Sequence, residues 1–288
     1  MSTVAYEIVD VFTDRPFAGN PLAVVYGAAD LGSDQMHALA REFNLAETVF
    51  VLPPTQPGAT YRARIFTPES ELPFAGHPSV GVAVSLMRRG DIPVGAVVQE
   101  CGAGLLPIEV HAAGSATLTG ASPTLGEPLD SGPLLAMAGL GGDELAAPRS
   151  AGCGLSWTFV PVRREQLPLI QIDNAAAARL DVTDVCFFSW SPESREAHSR
   201  VLIPGSAVPE DPATGSAALG LGVWLVAAGW LPPSEVSAYR IHQGHEMGRP
   251  SLLECTVTAE SGRAVSATVA GHVCPIARGE IAVPPFVG

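Results

Sequence analysis

Short runs of alternating apolar and polar residues, separated by turns, dominate the first half of the chain. Such runs predict β-strands, and they cover residues 4–12, 22–26, 47–52, 60–66, 94–100, 105–110 and 116–119. One segment has helical spacing instead, with Met36, Leu39, Ala40 and Phe43 on one face and Ser33 as the expected N-cap. The pattern therefore predicts many short strands with few helices.

Two further segments are apolar on nearly every side. Residues 79–87 carry no charge before Arg88, and residues 215–229 carry none at all. A helix without a polar face has to be buried on all sides. We therefore expect two buried central helices, one in each half of the chain.

The two halves repeat each other in order. Gly76, Gly81 and Gly90 recur 139 residues later as Gly215, Gly220 and Gly229, around the two apolar segments. Residues 64–68 resemble residues 200–204 at an offset of 136, and residues 18–22 resemble residues 151–155 at 133. The order of these matches indicates an internal duplication: two similar halves, each with short strands around one buried helix. The boundary is expected in the Gly-, Pro- and Ser-rich stretch at residues 120–132.

Composition and charge exclude several classes of function. The 288 residues are 47% hydrophobic and 16% charged, with a formal net charge of −13, which fits one large or two modest globular domains. All 16 basic residues are Arg, so a P-loop lysine and a lysine Schiff base are excluded. An acidic chain without a dense basic cluster also makes nucleic acid and an anionic membrane surface poor partners.

The cysteines and the lengths of the apolar runs indicate the cellular compartment. The five cysteines form no Cys-x-x-Cys pair, and the longest apolar run, residues 219–231, is too short to span a bilayer. No signal-peptide pattern opens the chain, because Glu7 and Asp10 interrupt its first apolar stretch. We expect a cytoplasmic protein with reduced thiols.

The starts of the two apolar helices are candidates for ligand binding. Gly76 and His77 open the first, and Gly215 and Ser216 open the second. A helix N-terminus offers backbone N–H groups and about half a positive charge. Two such ends facing one cleft would bind a carboxylate or an enolate-like oxyanion.

Several blocks together resemble a known family, the PhzF-like phenazine-biosynthesis isomerases. The blocks are Asp-Val-Phe at residues 10–12, Pro-Phe-Ala-Gly-Asn-Pro-Leu-Ala-Val-Val at 16–25, Ala-Glu-Thr-Val-Phe at 46–50, Ala-Gly-His-Pro at 75–78, Glu-Asp-Pro-Ala-Thr-Gly-Ser-Ala at 210–217, Gln-Gly at 243–244 and Met-Gly-Arg-Pro-Ser at 247–251. They keep the family order over nearly the whole chain.

The resemblance implies an α+β fold of the diaminopimelate epimerase type, with two pseudo-symmetric mixed β-barrel-like domains, each around a central helix. We expect domains at residues 1–120, with a returning C-terminal strand at 279–288, and at 121–278. The implied activity is a cofactor-independent proton shift on a small carboxylate-bearing substrate, in the parent family a dihydro-hydroxyanthranilate of secondary metabolism. A homodimer is also implied.

The resemblance assigns catalytic roles to Glu47, His77 and Asp211, and substrate binding to Asn20, Gly76, Gly215 and Ser216. Without the resemblance, the local sequence favours plainer roles for these residues. Glu47 would be a solvated residue at a strand end, His77 a hydrogen-bonding residue at a helix start, and Asp211 part of an ordinary Asp-Pro turn. A carboxylate at the start of an apolar strand is partly desolvated, which raises a carboxyl pKa toward a range useful for proton transfer.

Departures from related enzymes limit the chemistry. In the cysteine-dependent epimerases and racemases a catalytic thiol precedes each central helix, whereas Ala75 and Thr214 stand at those positions here. Two-thiol racemisation is thereby excluded, and a single carboxylate remains, without metal or pyridoxal phosphate. A lyase or hydrolase using the same Glu, and a non-catalytic binding protein, stay as alternatives.

Two further expectations concern the histidines at 242 and 245 and the way in which the two halves form one site. His242 and His245 are three residues apart without a third ligand at metal-like spacing, which favours a surface turn over a metal site. The residues of both halves are expected to converge on one cleft that closes over the substrate by a hinge near residues 120–132.

Overall fold

The computed structural model describes residues 2–142, 144–206 and 208–285, and the chain forms two compact units. The first comprises Met1–Thr119 and Ala270–Gly288, and the second comprises Gly120–Val269. The return to the first unit thus begins at Ala270, earlier than the expected residue 279, because strand pairing with the N-terminal strand already starts at Val273. Residues 286–288 of the expected returning strand lie outside the described residues.

The first unit contains most of the elements that the alternating pattern predicts. In chain order they are β1 (Thr3–Val11), β2 (Asn20–Val25), α1 (Ser33–Phe43), β3 (Glu47–Leu52), β4 (Tyr61–Phe66), β5 (Glu71–Leu72), α2 (Gly76–Arg89), β6 (Gly95–Cys101), β7 (Gly104–His111) and β8 (Ser115–Thr119).

The second unit repeats this plan with one additional short α-helix and a 3-10 helix at Arg164–Leu169. Its elements are β9 (Thr124–Pro128), α3 (Ser131–Met137), β10 (Arg149–Gly152), β11 (Ser156–Pro161), α4 (Asn174–Arg179), β12 (Val185–Ser191), β13 (Glu196–Leu202), β14 (Glu210–Asp211), α5 (Gly215–Ala227), β15 (Val236–Gln243), β16 (Ser251–Glu260) and β17 (Arg263–Ala282), the last of which continues into the first unit.

The strands of the first unit close into a mixed barrel. Neighbours pair in the order β1, β2, β3, β4, β6, β7, β8 and β17, and β17 pairs again with β1. The pairs β2–β3 and β4–β6 are parallel, and the pairs β1–β2, β3–β4, β6–β7, β7–β8 and β17–β1 are antiparallel. The second unit has the same alternation, with parallel pairs β11–β12 and β13–β15. The predicted mixed barrel-like architecture is confirmed.

Each unit contains one buried helix, as the all-apolar segments predict. In α2, residues from Gly76 to Leu86 are buried, and in α5, residues from Gly215 to Val226 are buried. Helix α2 contacts β1, β2, β3, β7 and β8, and α5 contacts β9, β10, β11 and β16. Both helices therefore need small and apolar residues on every face, because strands of their own unit pack against several sides.

Helix α1 lies outside this central packing and has one apolar face. Met36, Leu39 and Ala40 pack with Phe50 and Phe66 in a separate core cluster. The expected N-cap Ser33 is instead the first helical residue, and Gly32 is the N-cap, with its N–H donating to Oε1 of Gln35 at 3.0 Å. The Ser33 hydroxyl accepts a hydrogen bond from Arg64 at 2.9 Å, so it is engaged elsewhere.

The structure also bears on the sequence match at an offset of 133, on the state of the cysteines and on membrane-spanning helices. The match at an offset of 133 falls at equivalent places, because β2 and β11 each pair antiparallel with the preceding strand and parallel with the next, although β11 begins three residues after the matched Cys153. The five cysteines are free thiols. Among the described residues, no helix combines the length and apolarity needed to cross a membrane.

Candidate active site

Four of the predicted site residues lie in the first unit, and three of them form a line of polar groups. Asn20 begins β2, Glu47 begins β3, and Gly76 and His77 open α2. The amide nitrogen Nδ2 of Asn20 lies 3.2 Å from Nδ1 of His77, and Nε2 of His77 lies 3.3 Å from Oε2 of Glu47. Residues separated by up to 57 positions along the chain therefore meet at one point.

The contact with Asn20 determines which ring nitrogen of His77 carries the proton. An amide NH₂ group can only donate, so Nδ1 of His77 accepts and the proton is on Nε2. Nε2 faces Glu47 without an aligned hydrogen bond, and no other group in the described residues accepts from it. A buried N–H group without an acceptor destabilises the folded protein, and a ligand oxygen that accepts from it removes this cost.

Burial keeps His77 neutral. Desolvation lowers the pKa of His77 from 6.5 to about 3, because charging a buried ring is unfavourable. The nearby Glu47 carboxylate favours the charged ring, but protonating Nδ1 would also break the bond from Asn20. The site at neutral pH therefore contains an uncharged imidazole beside a carboxylate.

Accessibility separates the two members of this pair. The side chain of His77 is 6% exposed, whereas that of Glu47 is 17% exposed. The carboxylate is thus the group that a ligand or solvent reaches more easily.

A buried polar network holds the start of α2. Tyr61 donates to Gln99 at 3.1 Å, Gln99 donates to Ser79 at 2.9 Å, and Ser79 donates to the carbonyl of Ala75 at 2.9 Å. Sequence reasoning missed these residues because they are spread over β4, β6 and α2. The network fixes the first turn of the helix on which His77 is carried.

The first turn of α2 offers few free donors. Residues at a helix start have N–H groups without intrahelical acceptors. Pro78 has no N–H, and that of Ser79 lies 3.4 Å from the carbonyl of Ala75. Gly76 and His77 therefore supply the backbone N–H groups at this end of the helix.

In the second unit, Asp211 belongs to a separate network at the start of α5. The hydroxyl of Thr214 donates to Oδ2 of Asp211, and Gln243 donates to the hydroxyl of Thr214 at 2.9 Å and to the carbonyl of Asp211 at 2.7 Å. Gln243 and Thr214 are buried. The Asp-Pro segment is therefore held by β15, and Thr214, at the position of a catalytic thiol in related enzymes, acts here as a hydrogen-bonding residue.

The remaining predicted residues of the second unit are Gly215 and Ser216. Gly215 is the first residue of α5, and Ser216 is buried in its first turn. The Ser216 hydroxyl accepts from Nε1 of Trp157 at 3.0 Å, so its own hydrogen remains available for donation. Trp157 on β11 was not predicted, since nothing in the local sequence links it to residue 216.

Comparison with known proteins gives the family. The family model described as phenazine biosynthesis-like protein, PhzC-PhzF, matches residues 9–279. The chain belongs to this family. Its relatives include an uncharacterized isomerase from Mesorhizobium japonicum, 37% identical over 98% of this chain and 99% of that protein. A trans-2,3-dihydro-3-hydroxyanthranilate isomerase from Pseudomonas aeruginosa is 32% identical over 95% of this chain and 98% of that protein.

Solved structures agree on the fold of this PhzF-family protein. A PhzF-family phenazine biosynthesis protein from Bacillus anthracis has a TM-score of 0.83 at 23% identity, covering 98% of this chain and 100% of that one. A probable proline racemase from Agrobacterium radiobacter K84 has a TM-score of 0.70 at 14% identity, covering 99% and 94%. Both likenesses concern the fold, and they confirm the prediction of an epimerase-type fold.

Proposed function

We propose that this PhzF-family protein is a cofactor-independent isomerase that moves a proton between two carbons of a small carboxylate-bearing substrate. One observation carries the proposal: a partly accessible carboxylate, Glu47, lies beside a buried neutral imidazole, His77, whose Nε2–H has no aligned acceptor among the described residues. Glu47 removes the proton and returns it elsewhere on the same face of the substrate.

His77 acts as a hydrogen-bond donor. Its Nε2–H donates to the substrate oxygen on which negative charge develops when the carbon loses its proton. A neutral donor in a buried site needs no reorganisation at the moment of reaction, and one such donor typically contributes about 10²–10³-fold to the rate. The proton stays on Nε2 because Asn20 occupies Nδ1.

The start of α2 supplies the anion site. The N–H groups of Gly76 and His77 bind the substrate carboxylate or the developing oxyanion, with help from the helix dipole. Helix α2 has 14 residues and no acidic residue of its own in its first turn. The backbone donors and the dipole of this helix start favour an anionic ligand.

A relative supports our proposal for the substrate class. The Pseudomonas aeruginosa relative is named for a dihydro-hydroxyanthranilate, a cyclic amino acid with a carboxylate. We infer a substrate of that class, a small cyclic carboxylate of secondary metabolism. Asp211, Gly215 and Ser216 are proposed as further substrate-binding groups, with Asp211 oriented by Thr214.

Solvent-deuterium exchange tests the proposal. Candidate cyclic and linear carboxylates are incubated with the enzyme in D₂O, and deuterium incorporation is followed by NMR and mass spectrometry. The Glu47→Gln variant should lose exchange by about 10²–10⁴-fold, while Glu42→Gln, at an exposed position of α1, should exchange like the wild type. Wild-type exchange rates in a folded Glu47→Gln protein would overturn the role of Glu47.

The product mass separates the alternatives. An isomerase leaves the mass of the substrate unchanged apart from deuterium, whereas a lyase or hydrolase changes it. Binding without exchange or mass change by any candidate would favour the non-catalytic alternative. Asp211→Asn should weaken substrate turnover more than Glu193→Gln, a control at an exposed turn of the same unit.

The expected homodimer stays a prediction. It rests on the family resemblance, and light scattering at micromolar concentration measures it directly. A monomer under these conditions would contradict it without affecting the proposed chemistry.

A further inference from the structure

Three of the seven histidines meet in the second unit, and none of the three is assigned to the reaction. His198 lies on β13, His242 lies on β15, and His245 lies in the turn that follows β15. Each offers a ring nitrogen, and these three atoms lie within 4.8 Å of one another. The ring centroids are 4.5 Å apart for His198 and His242, and 5.9 and 6.1 Å apart for the pairs with His245.

Strand register brings the first two imidazoles together. β13 and β15 are parallel neighbours, and His198 pairs directly with His242. Paired residues on adjacent strands project to the same face of a sheet, and the two rings stack with an interplanar angle of 13°. Both side chains are only half-buried, so they can rotate toward a shared ligand.

The turn after β15 places the third imidazole. Gly244 has a φ of +74°, and a Cβ there would lie 2.4 Å from the carbonyl oxygen of Arg249 and 2.6 Å from that of Pro212, so only glycine fits. The N–H of Arg249 donates to the carbonyl of Gly244 at 2.9 Å, and that of Gly248 donates to the carbonyl of His245 at 3.1 Å. The turn thus places His245 beside the end of β15, with its ring 6.1 Å from that of His242.

We propose that His198, His242 and His245 bind one divalent transition-metal cation of the zinc class. Neutral imidazole is a ligand for zinc, copper, nickel and iron, whereas magnesium and calcium prefer oxygen. Three histidines with an open fourth position are a known arrangement for zinc. Zinc–nitrogen bonds of about 2.0–2.1 Å in a tetrahedral site require nitrogens roughly 3.4 Å apart, so side-chain rotation has to bring the three rings closer.

Neighbouring groups are compatible with a cation. Oε1 of Glu196 lies 3.8 Å from Nε2 of His242 and 3.1 Å from the guanidinium of Arg240, so a carboxylate borders the cluster and shares its charge with one Arg. Carboxylates next to ligating histidines orient the ring and raise its basicity. His198 also lines a cavity of about 330 Å³ together with Trp190 and Trp230. This cavity can supply water or a small ligand to an open coordination position.

The site would reinforce the polar network of the same unit. Gln243, between His242 and Gly244, donates to the carbonyl of Asp211 and to Thr214. A cation that ties β13, β15 and the following turn together would stabilise the segment that holds Asp211. The proposal stands on the histidine geometry and does not depend on the isomerase activity.

Metal binding is measured on full-length protein without a histidine tag. The protein is stripped with a chelator, dialysed, and titrated with Zn²⁺ alone by calorimetry at a pH above 7, where an ordinary histidine is neutral. We expect one ion per chain, confirmed by elemental analysis after gel filtration. His245→Ala should weaken binding by at least about tenfold, and His198→Ala and His242→Ala should do the same.

His245→Ala is the decisive variant because His245 is exposed and its loss leaves the core intact. His111→Gln is the matched control, since His111 lies in the first unit and contacts Thr117 at 2.8 Å. Saturating Zn²⁺ should raise the melting temperature of the wild type and of His111→Gln but not that of His245→Ala. Co²⁺ should give a d–d absorption spectrum of nitrogen coordination that His245→Ala lacks. Zn²⁺ affinity or stoichiometry unchanged by His245→Ala, or no binding to the wild type, would overturn the proposal.

Discussion

Nε2 of His77 lies 3.3 Å from Oε2 of Glu47, while Nδ1 of the same ring accepts from Asn20. One buried ring is thus oriented by an amide on one side and faces a carboxylate on the other. Because burial lowers its pKa to about 3, the ring stays neutral wherever the enzyme is expected to work. In the proposed reaction the Glu47 carboxylate accepts the proton and the neutral His77 ring donates a hydrogen bond, which a proton shift beside a developing oxyanion requires.

The lowered pKa of His77 makes folding stability depend on pH. The unfolded chain binds a proton at this ring below pH 6.5, whereas the folded protein does so only below about 3. The contribution of His77 is therefore fully present above pH 6.5 and is lost as the pH falls through this window, at about 1.4 kcal/mol per pH unit. Urea unfolding at a series of pH values measures this slope.

The variant His77→Gln isolates this contribution. It removes the titrating group, so its free energy of unfolding should fall less steeply than that of the wild type between pH 6.5 and about 4. Carboxylates remote from His77 titrate alike in both proteins and cancel in the difference, and the variant Glu47→Gln in both backgrounds removes the one carboxylate that contacts the ring. Equal slopes in the two proteins would contradict a buried neutral His77.

Asn20 should control the tautomer of His77. Replacing it by Ala removes the donor to Nδ1, so the ring is free to move its proton from Nε2 to Nδ1. We expect isomerisation or exchange to slow by at least about tenfold, with a change in the ¹⁵N chemical shifts of the His77 ring. A loss of activity with unchanged ring shifts would assign Asn20 to substrate binding instead.

The two central helices should not tolerate Ala at their equivalent glycines. A Cβ at Gly81 would lie 2.5 Å from Cδ2 of Leu22, and one at Gly220 would lie 2.8 Å from the carbonyl oxygen of Ala151. Each substitution should lower the free energy of unfolding by about 1–3 kcal/mol. Gly220→Ala should cost more, because a backbone carbonyl yields less than a leucine methyl group.

Gly141→Ala is the control for this pair, since nothing lies within 4 Å of a Cβ there and its φ is not in the left-handed region. Its chemical denaturation midpoint should match the wild type. Wild-type stability of Gly220→Ala would show that the strands around α5 can move apart.

The two duplicated ion pairs should differ in strength. Arg200 makes two hydrogen bonds with Glu210, at 2.8 and 2.7 Å, and also donates to the carbonyl of Leu167 at 2.9 Å. Arg64 makes a similar pair with Glu71, but that carboxylate is 41% exposed against 14% for Glu210. Lys cannot form the planar double contact.

Arg200→Lys should therefore lower the free energy of unfolding by about 1–3 kcal/mol, and Arg64→Lys by about 0.5–1 kcal/mol. Denaturant unfolding in low and high salt checks both values, and salt should reduce the Arg64 contribution more. An equal loss of unfolding free energy in the two variants would contradict the expectation that burial makes the Arg200–Glu210 pair the stronger one.

Much of the fold could be predicted from local pattern. The alternation at residues 47–52 and 61–66 and the unbroken apolar runs after Gly76 and Gly215 give strands and buried helices where the structure has them. These features depend on which side chains can face water, and that is a property of neighbouring residues. The N-cap at Gly32 rather than Ser33 was not predicted, because Arg64, 31 residues away, donates a hydrogen bond to the Ser33 hydroxyl.

The sequence by itself determined the elements, the duplication and the family motifs that single out Glu47, His77 and Asp211. Only the tertiary structure decided what these groups contact: Asn20 on Nδ1 of His77, Thr214 and Gln243 around Asp211, and Trp157 on Ser216. The same holds for His198, which the sequence does not link to His242 and His245 until parallel strand register sets the first two side by side. Pairing between distant strands depends on the closure of the whole sheet, and no local pattern encodes that register.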